Sequence, residues 1–200
     1  MNSDFFMQKA IELSIKNIHN NGGPFGCVIV KNNKIISEGV NGVTQNNDPT
    51  AHAEIVAIRN ACKKLNTFDL SGCELYTSCE PCPMCLSAIY WSHIDLVYYG
   101  NSRENAAEIQ FDDKFIYDEM KKDINERKIP LKQILKDEAI KAFDLWAETE
   151  NKRTNSAKRI YWNRFWILFM PDLPKHGSKI FRSWTKISAM CCLILSLIHI

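Results

Sequence analysis

The chain has 200 residues, 46% of them hydrophobic and 24% charged, with a formal net charge of +2. That composition is globular, and the length is enough to bury a core. The charge is uneven. Residues 153–200 carry eight basic and one acidic residue, a balance of +7, and residues 1–152 stand at −5. A net-negative main part is a poor match for polyanionic tRNA or DNA, so no nucleic-acid partner is expected.

Residues 1–18 alternate polar and apolar positions and show no signal-peptide h-region. The eight cysteines then point to a reducing compartment, the cytoplasm, with buried or metal-bound thiols rather than a disulfide framework. In chain order, Ser3 and Asp4 are expected to cap a first helix reaching about Ile18, and Asn20-Asn21-Gly22-Gly23 to stop it. Cys27–Val30 and Lys34–Ser37 flank Asn32-Asn33 and read as a hairpin, with Asn41 at a strand end and Gly42 to Asp48 as loop. Ala51 to Lys64 has helical apolar spacing, with Asp48 or Thr50 as its cap and His52 in its first turn. Cys73–Thr77 reads as a buried strand delivering a helix that starts near Cys82. Leu96–Tyr99 is a further strand, and Asn101 to Gln110 is irregular or weakly helical. Phe111 to Tyr117 is helical beyond Asp113. Leu131 to Leu135 is assigned as a strand and Glu138 to Glu150 as a last helix. Helices alternating with strands predict a layered α/β sandwich.

Two stretches carry the chemistry. The first is Thr50 to Arg59, with Thr50-Ala51-His52-Ala53-Glu54 at its start, and the second is Tyr76 to Trp91, with Ser78-Cys79-Glu80-Pro81-Cys82-Pro83-Met84-Cys85 within it. His52, Cys82 and Cys85 are one imidazole and two thiolates, a donor set suited to zinc. Three protein ligands leave a fourth position open for water, which zinc acidifies toward neutral pH. Glu54 is a carboxylate beside that position and can carry a proton, help typically worth about 10²–10⁴-fold in rate. Helix starts at both motifs would favour thiolate over thiol. Spacing leaves one alternative open. Cys79 also stands three residues from Cys82, which permits a closed, structural Cys3His site.

The pair His52-Ala53-Glu54 and Pro81-Cys82-Pro83-Met84-Cys85 is the H-x-E…P-C-x-x-C pattern of zinc nucleobase deaminases. From about Phe5 to Lys152 the chain resembles the cytidine-deaminase-like superfamily, and within it the bacterial-type guanine deaminases. The likeness runs through Gly22-Gly23-Pro24-Phe25-Gly26, Asn46 to Glu54, Tyr76 to Cys85, Ala88-Ile89-Tyr90-Trp91 and Phe111-Asp112-Asp113-Lys114-Phe115-Ile116-Tyr117, and within it the Tyr90-Trp91 pair and the Phe111-Asp112-Asp113 segment point to the guanine enzymes. The resemblance implies a three-layer α/β/α sandwich with a central mixed sheet. It implies zinc on His52, Cys82 and Cys85, proton transfer by Glu54, and Cys79 as a non-ligand. Asn41 and Asp113 would contact a guanine base, with Phe25 and Trp91 near it. The same resemblance implies a homodimer that exchanges C-terminal segments, with a terminal aromatic covering the partner's site. After Lys152 this chain runs Arg-Thr-Asn-Ser, with no matching terminal aromatic, and continues to Ile200.

Each of these residues also has an ordinary use. Asp113 can cap the helix after it, Asn41 can be a turn residue, and Phe25 and Trp91 can be core. The expected activity is hydrolytic deamination of guanine to xanthine and ammonia. The alternatives are a tRNA adenosine deaminase and a non-catalytic zinc-stabilised binding module. Residues 1–152 are expected to be the deaminase domain and residues 153–200 a basic, aromatic tail outside it. The run from Ile187 to Ile200 is shorter than the roughly 20 residues of a membrane span. Its last six residues match the translation of a transposon adapter, so the tail is expected to be a dispensable read-through. A basic membrane-surface segment is the alternative.

Overall fold

The computed structural model describes residues 3–150 and 152–156. Helix α1 (Ser3–His19) buries Phe6, Ala10, Ser14 and Asn17, which fall three or four residues apart and so share one face. Ser3 and Asp4 lie inside its first turn rather than ahead of it. Strands β1 (Gly26–Lys31) and β2 (Lys34–Val40) pair antiparallel. Their two-residue turn, Asn32-Asn33, takes positive φ at both positions, 50° and 58°. That is the turn whose twist matches a hairpin, and asparagine tolerates it better than most residues.

A short helix α2 (Val43–Asn46) occupies part of the expected loop. Helix α3 (Ala53–Leu65), strand β3 (Cys73–Cys79), helix α4 (Pro83–Trp91) and strand β4 (Leu96–Asn101) follow. The sheet order is β2-β1-β3-β4. β1 lies antiparallel to both β2 and β3, and β3 runs parallel to β4. A parallel pair needs a crossover, and α4 supplies it.

Side-chain alternation along β1 separates two cores. Cys27 and Ile29 join Ala53, Ala57 and Ala61 of α3, Leu75 of β3 and Ile89 of α4. Val28 and Val30 join Phe6 and Ala10 of α1 and Tyr76 of β3. Helix α1 therefore covers one face of the mixed sheet and α3 with α4 the other, which is the expected three-layer sandwich. The layers are close. A Cβ at Gly39 would collide with the backbone of Ala53 and Ala57, and one at Gly26 with the backbone of Ala10 and Ser14.

Beyond the sheet lie α5 (Arg103–Glu108), α6 (Lys114–Lys121) and α7 (Lys136–Glu148). Ser102 starts α5 with a capping box made with Asn105, so the stretch expected to be irregular or weakly helical is a short capped helix. Residues 131–135 form no strand. Leu131, Ile134 and Leu135 are exposed, and Leu135 (φ 51°) begins α7. A strand requires a neighbour for its backbone groups, and no sheet edge accompanies this segment among the described residues. The segment Arg153–Ser156 contacts the domain: Ser156 O accepts from His93 Nε2 at 2.9 Å, Asn155 Nδ2 donates to Trp91 O, and Arg153 lies over Phe68. Contacts to the domain thus extend past Lys152. Of the expected tail, residues 157–200 lie outside the described residues.

Candidate metal centre

The two chemical motifs sit at the starts of α3 and α4. His52 is the residue before α3, extended at φ −69° and ψ 156°, and its carbonyl accepts from Val56 N. It is therefore the N-cap rather than a first-turn residue. The two residues expected to cap instead build the turn before it: Asp48 Oδ1 accepts from Thr50 N at 2.8 Å and from Thr50 Oγ1 at 2.6 Å. Cys82 holds the same place on α4, at φ −62° and ψ 168°, and Pro83 takes the first helical position. Proline is suited there because its missing N–H has no intrahelical partner to lose. Cys85 comes one turn later, so one helix start presents both sulfurs.

His52 Nδ1 lies 3.6 Å from Cys82 Sγ and 3.6 Å from Cys85 Sγ. A tetrahedral zinc with Zn–S near 2.3 Å and Zn–N near 2.0–2.1 Å separates nitrogen and sulfur ligands by roughly 3.5–3.6 Å. The three ligand atoms lie within 4.8 Å of one another, the one such group among the described residues. Cys79 is not part of it. Its Sγ donates to Ser102 O at 3.6 Å, and burial pushes its thiol up to about 11. The donor set, its spacing and the two helix ends fit zinc, the protein's cofactor.

Charge in the cluster is arranged as a metal site requires. The hydrogen bond from Cys85, and then that from His52, draw Cys82 down to about 4, so its thiolate is the resting form. Cys85 is pushed the other way, first by its hydrogen bond to Cys82 and then by burial. The hydrogen bond to Cys82 raises His52. Zinc takes cysteine sulfurs as thiolates, so binding of the ion displaces the thiol proton that remains. Glu54, 6% exposed on the first turn of α3, is raised chiefly by burial. Thr77 Oγ1 donates to its Oε1 at 3.2 Å, and Cys85 Sγ lies 3.4 Å from its Oε2.

A cleft of about 540 Å³ opens over the cluster, within the range of small-molecule sites. His52, Cys82 and Glu54 line it together with Asn41, Asp113 and Phe25. Asn41 is buried, and Asn17 Nδ2 fixes its backbone by donating to Asn41 O at 2.8 Å and to Gly23 O at 2.9 Å. Asp113 precedes α6 but makes no cap hydrogen bond. The local turn belongs to Asp112, whose Oδ1 accepts from Lys114 N. Burial, followed by the nearby Cys82 charge, raises Asp113. Phe25 meets Phe111 edge-on, with ring centroids 5.0 Å apart. Trp91 does not line the cleft and is 50% exposed. It closes α4, eight residues past N1, so the helix rise sets it roughly 12 Å from the cysteine end.

Three residues of this region were given no part in the site by the sequence analysis. Thr77, Asn17 and Phe111 are a polar strand residue, a polar helix residue and a loop aromatic. The first two left a readable signal: each falls on a buried face by the element's own period, and a buried polar group requires a partner.

The mixed sheet with a His–Cys–Cys cluster and a buried glutamate at facing helix starts defines a zinc-dependent hydrolytic deaminase. Residues 1–101 match the family model described as the cytidine and deoxycytidylate deaminase zinc-binding region. The chain belongs to that family. It is 50% identical over 154 residues to the guanine deaminase of Bacillus subtilis (strain 168), covering 76% of this chain and 99% of that protein. A crystal structure of a guanine deaminase from Bacillus subtilis matches at 49% identity with a TM-score of 0.76, over 78% of this chain and 100% of that one. The tRNA-specific adenosine deaminase of Aquifex aeolicus (strain VF5) is 42% identical over 100 residues, covering 50% of this chain and 66% of that protein.

Proposed function

We propose that this enzyme hydrolyses free guanine to xanthine and ammonia. The observation that carries this is Asp113: its carboxylate is unused by the helix it precedes and lines the same cleft as Glu54, His52 and Cys82. A carboxylate accepts hydrogen bonds and offers none, so it suits the N–H groups of guanine and not the acceptor nitrogens of adenine. Further support comes from the likeness to the Bacillus subtilis guanine deaminase, which spans nearly all of that protein, whereas the likeness to the Aquifex tRNA deaminase stops at 100 residues.

Zinc held by His52, Cys82 and Cys85 supplies a water acidified enough to act as a nucleophile at neutral pH. The chain's own groups do the rest. Glu54 would take one proton from the water and give it to a ring nitrogen, then take the second from the C2 hydroxyl and give it to the departing amine, so that C2 becomes a carbonyl and ammonia leaves neutral. Asp113 and Asn41 orient the base, and Phe25 offers it an apolar ring. Trp91, away from the cleft of its own chain, has no contact role there.

The working form is a homodimer. Phe143, Leu145 and Trp146 of α7 are 74%, 68% and 48% exposed, an apolar load that a second copy would cover by exchange of C-terminal segments. We place the enzyme in the cytoplasm, because all six described cysteines are free. Among the described residues no helix is long and apolar enough to cross a membrane. The acidic balance of residues 1–152 speaks against a nucleic-acid substrate. The test offers the purified enzyme guanine, adenine, cytosine and tRNA and measures ammonia. Release from guanine alone is expected; release from tRNA with none from guanine rejects the proposal.

A further inference from the structure

Glu54 and Thr77 belong to different layers, α3 and β3, and meet between them. Thr77 is 1% exposed. It lies on the same side of β3 as Leu75, whose neighbours are the apolar residues of the α3 face. A hydroxyl in such a place is costly unless it is bonded, and its partner is Glu54 Oε1, at 3.2 Å. The other carboxylate oxygen, Oε2, faces Cys85 Sγ at 3.4 Å, on the side of the ligand cluster. The two oxygens are thus divided: one tied to the sheet, one turned to the cluster. A cysteine ligates zinc as a thiolate and then has no proton to give. Thr77 is thereby left as the side chain that holds this carboxylate among the described residues.

We infer that Thr77 is a positioning residue for the reaction, its hydroxyl fixing Glu54 so that Oε2 stays directed at the ligand cluster. A glutamate end group otherwise turns freely about its last torsion, and a proton carrier must stay within hydrogen-bond reach of the groups it serves. Thr77 itself touches neither substrate nor ligand atoms; it acts through Glu54. The inference rests on Glu54 being the proton carrier.

The experiment compares the full-length, zinc-loaded wild type with Thr77→Val, Thr77→Ser and Glu54→Ala, reading zinc per chain, thermal midpoint, and kcat and KM for guanine. Thr77→Val is expected to lower kcat by about 10–100-fold, the usual range for losing a group that orients a first-layer residue. Zinc content and KM stay at the wild-type level. Thr77→Ser, which keeps the hydroxyl, recovers most of the lost kcat. Should the valine protein not fold, Thr77→Ala replaces it and kcat per bound zinc decides. A Thr77→Val kcat equal to wild type, or a serine variant as impaired as the valine one at equal zinc, overturns the inference. The Glu54→Ala protein separates the two levels. If it turns over guanine normally, the role of Glu54 falls; if it is inactive while Thr77→Val is normal, only the role of Thr77 falls.

Discussion

Cys79 and Cys85 both stand three residues from Cys82, and only their surroundings tell them apart. Cys79 is the last residue of β3, pointed at the Ser102 carbonyl with its thiol pushed up to about 11, a protonated filler. Cys85 is turned by the helix toward His52. Replacing Cys79 by serine is therefore expected to leave one zinc per chain by elemental analysis, whereas Cys85→Ser loses it. Zinc lost from the Cys79 variant would instead point to a closed four-ligand site. Asp113 divides roles with Asp112 in the same way. Both line the cleft, but Asp112 Oδ1 is taken up by Lys114 N while Asp113 makes no cap hydrogen bond, so Asp113→Asn is expected to cut kcat/KM for guanine by about tenfold or more, with zinc and thermal midpoint unchanged, since an amide donor would confront an N–H donor in a site built to accept. An Asp112→Asn protein should show the smaller effect on turnover.

At the scale of elements, the site depends on how closely α3 lies on the sheet. The hydroxyl of Ser37 on β2 donates to Ala57 O at 2.8 Å, and Gly39 leaves room for the α3 backbone at Ala53 and Ala57. An added methyl group meets backbone atoms that no rotamer can clear, so Gly39→Ala should cost about 1–3 kcal/mol as an overpacking change. Displacing α3 also moves His52 and Glu54 relative to the cysteine helix. The expected outcome is a thermal midpoint lower by several degrees together with weakened zinc retention during dialysis against a chelator. Equal stability and equal retention would show that α3 can shift without disturbing its ligand. The assignment of α3 from its apolar spacing erred only at the start. The periodicity reports which face is buried, but the cap depends on where the preceding turn of Asp48 and Thr50 leaves the chain.

Among the described residues, the central strands β1 and β3 are buried, whereas strand β4 and the C-terminal helix are largely exposed. Helix α7 buries none of its residues, while Arg153–Ser156 returns to Phe68, Trp91 and His93. His93 is 3% exposed, and its Nδ1 sits 3.4 Å from Asp69 Oδ1 without hydrogen-bond alignment. The Ser156 carbonyl thus satisfies its other ring nitrogen. A chain ending at Ser156 should match the full-length protein in turnover, solubility and dimer content, because the family likeness to a whole guanine deaminase is contained in 76% of this chain. A chain ending at Lys152 leaves His93 Nε2 buried without a partner and should lose about 1–3 kcal/mol, seen as a lower thermal midpoint. Loss of guanine turnover already at the Ser156 truncation would assign the later residues a part in the site.

The local chemistry was legible in the sequence because it is written in short spacings. His-x-Glu and Cys-x-x-Cys each fit one turn of helix, so the donor set and the zinc could be read without a fold. The period of two in β1 and the Asn32-Asn33 turn likewise announced a strand and its hairpin. What the sequence could not specify is which distant residues meet. The backing of Glu54 by Thr77, the separation of Cys79 from the cluster, the presence of Asp113 in the cleft and the absence of Trp91 all depend on how layers stack. Spacing along the chain records neighbours within one element. Contacts between elements are chosen by the packing of both faces of the sheet at once, and only the tertiary structure expresses that choice.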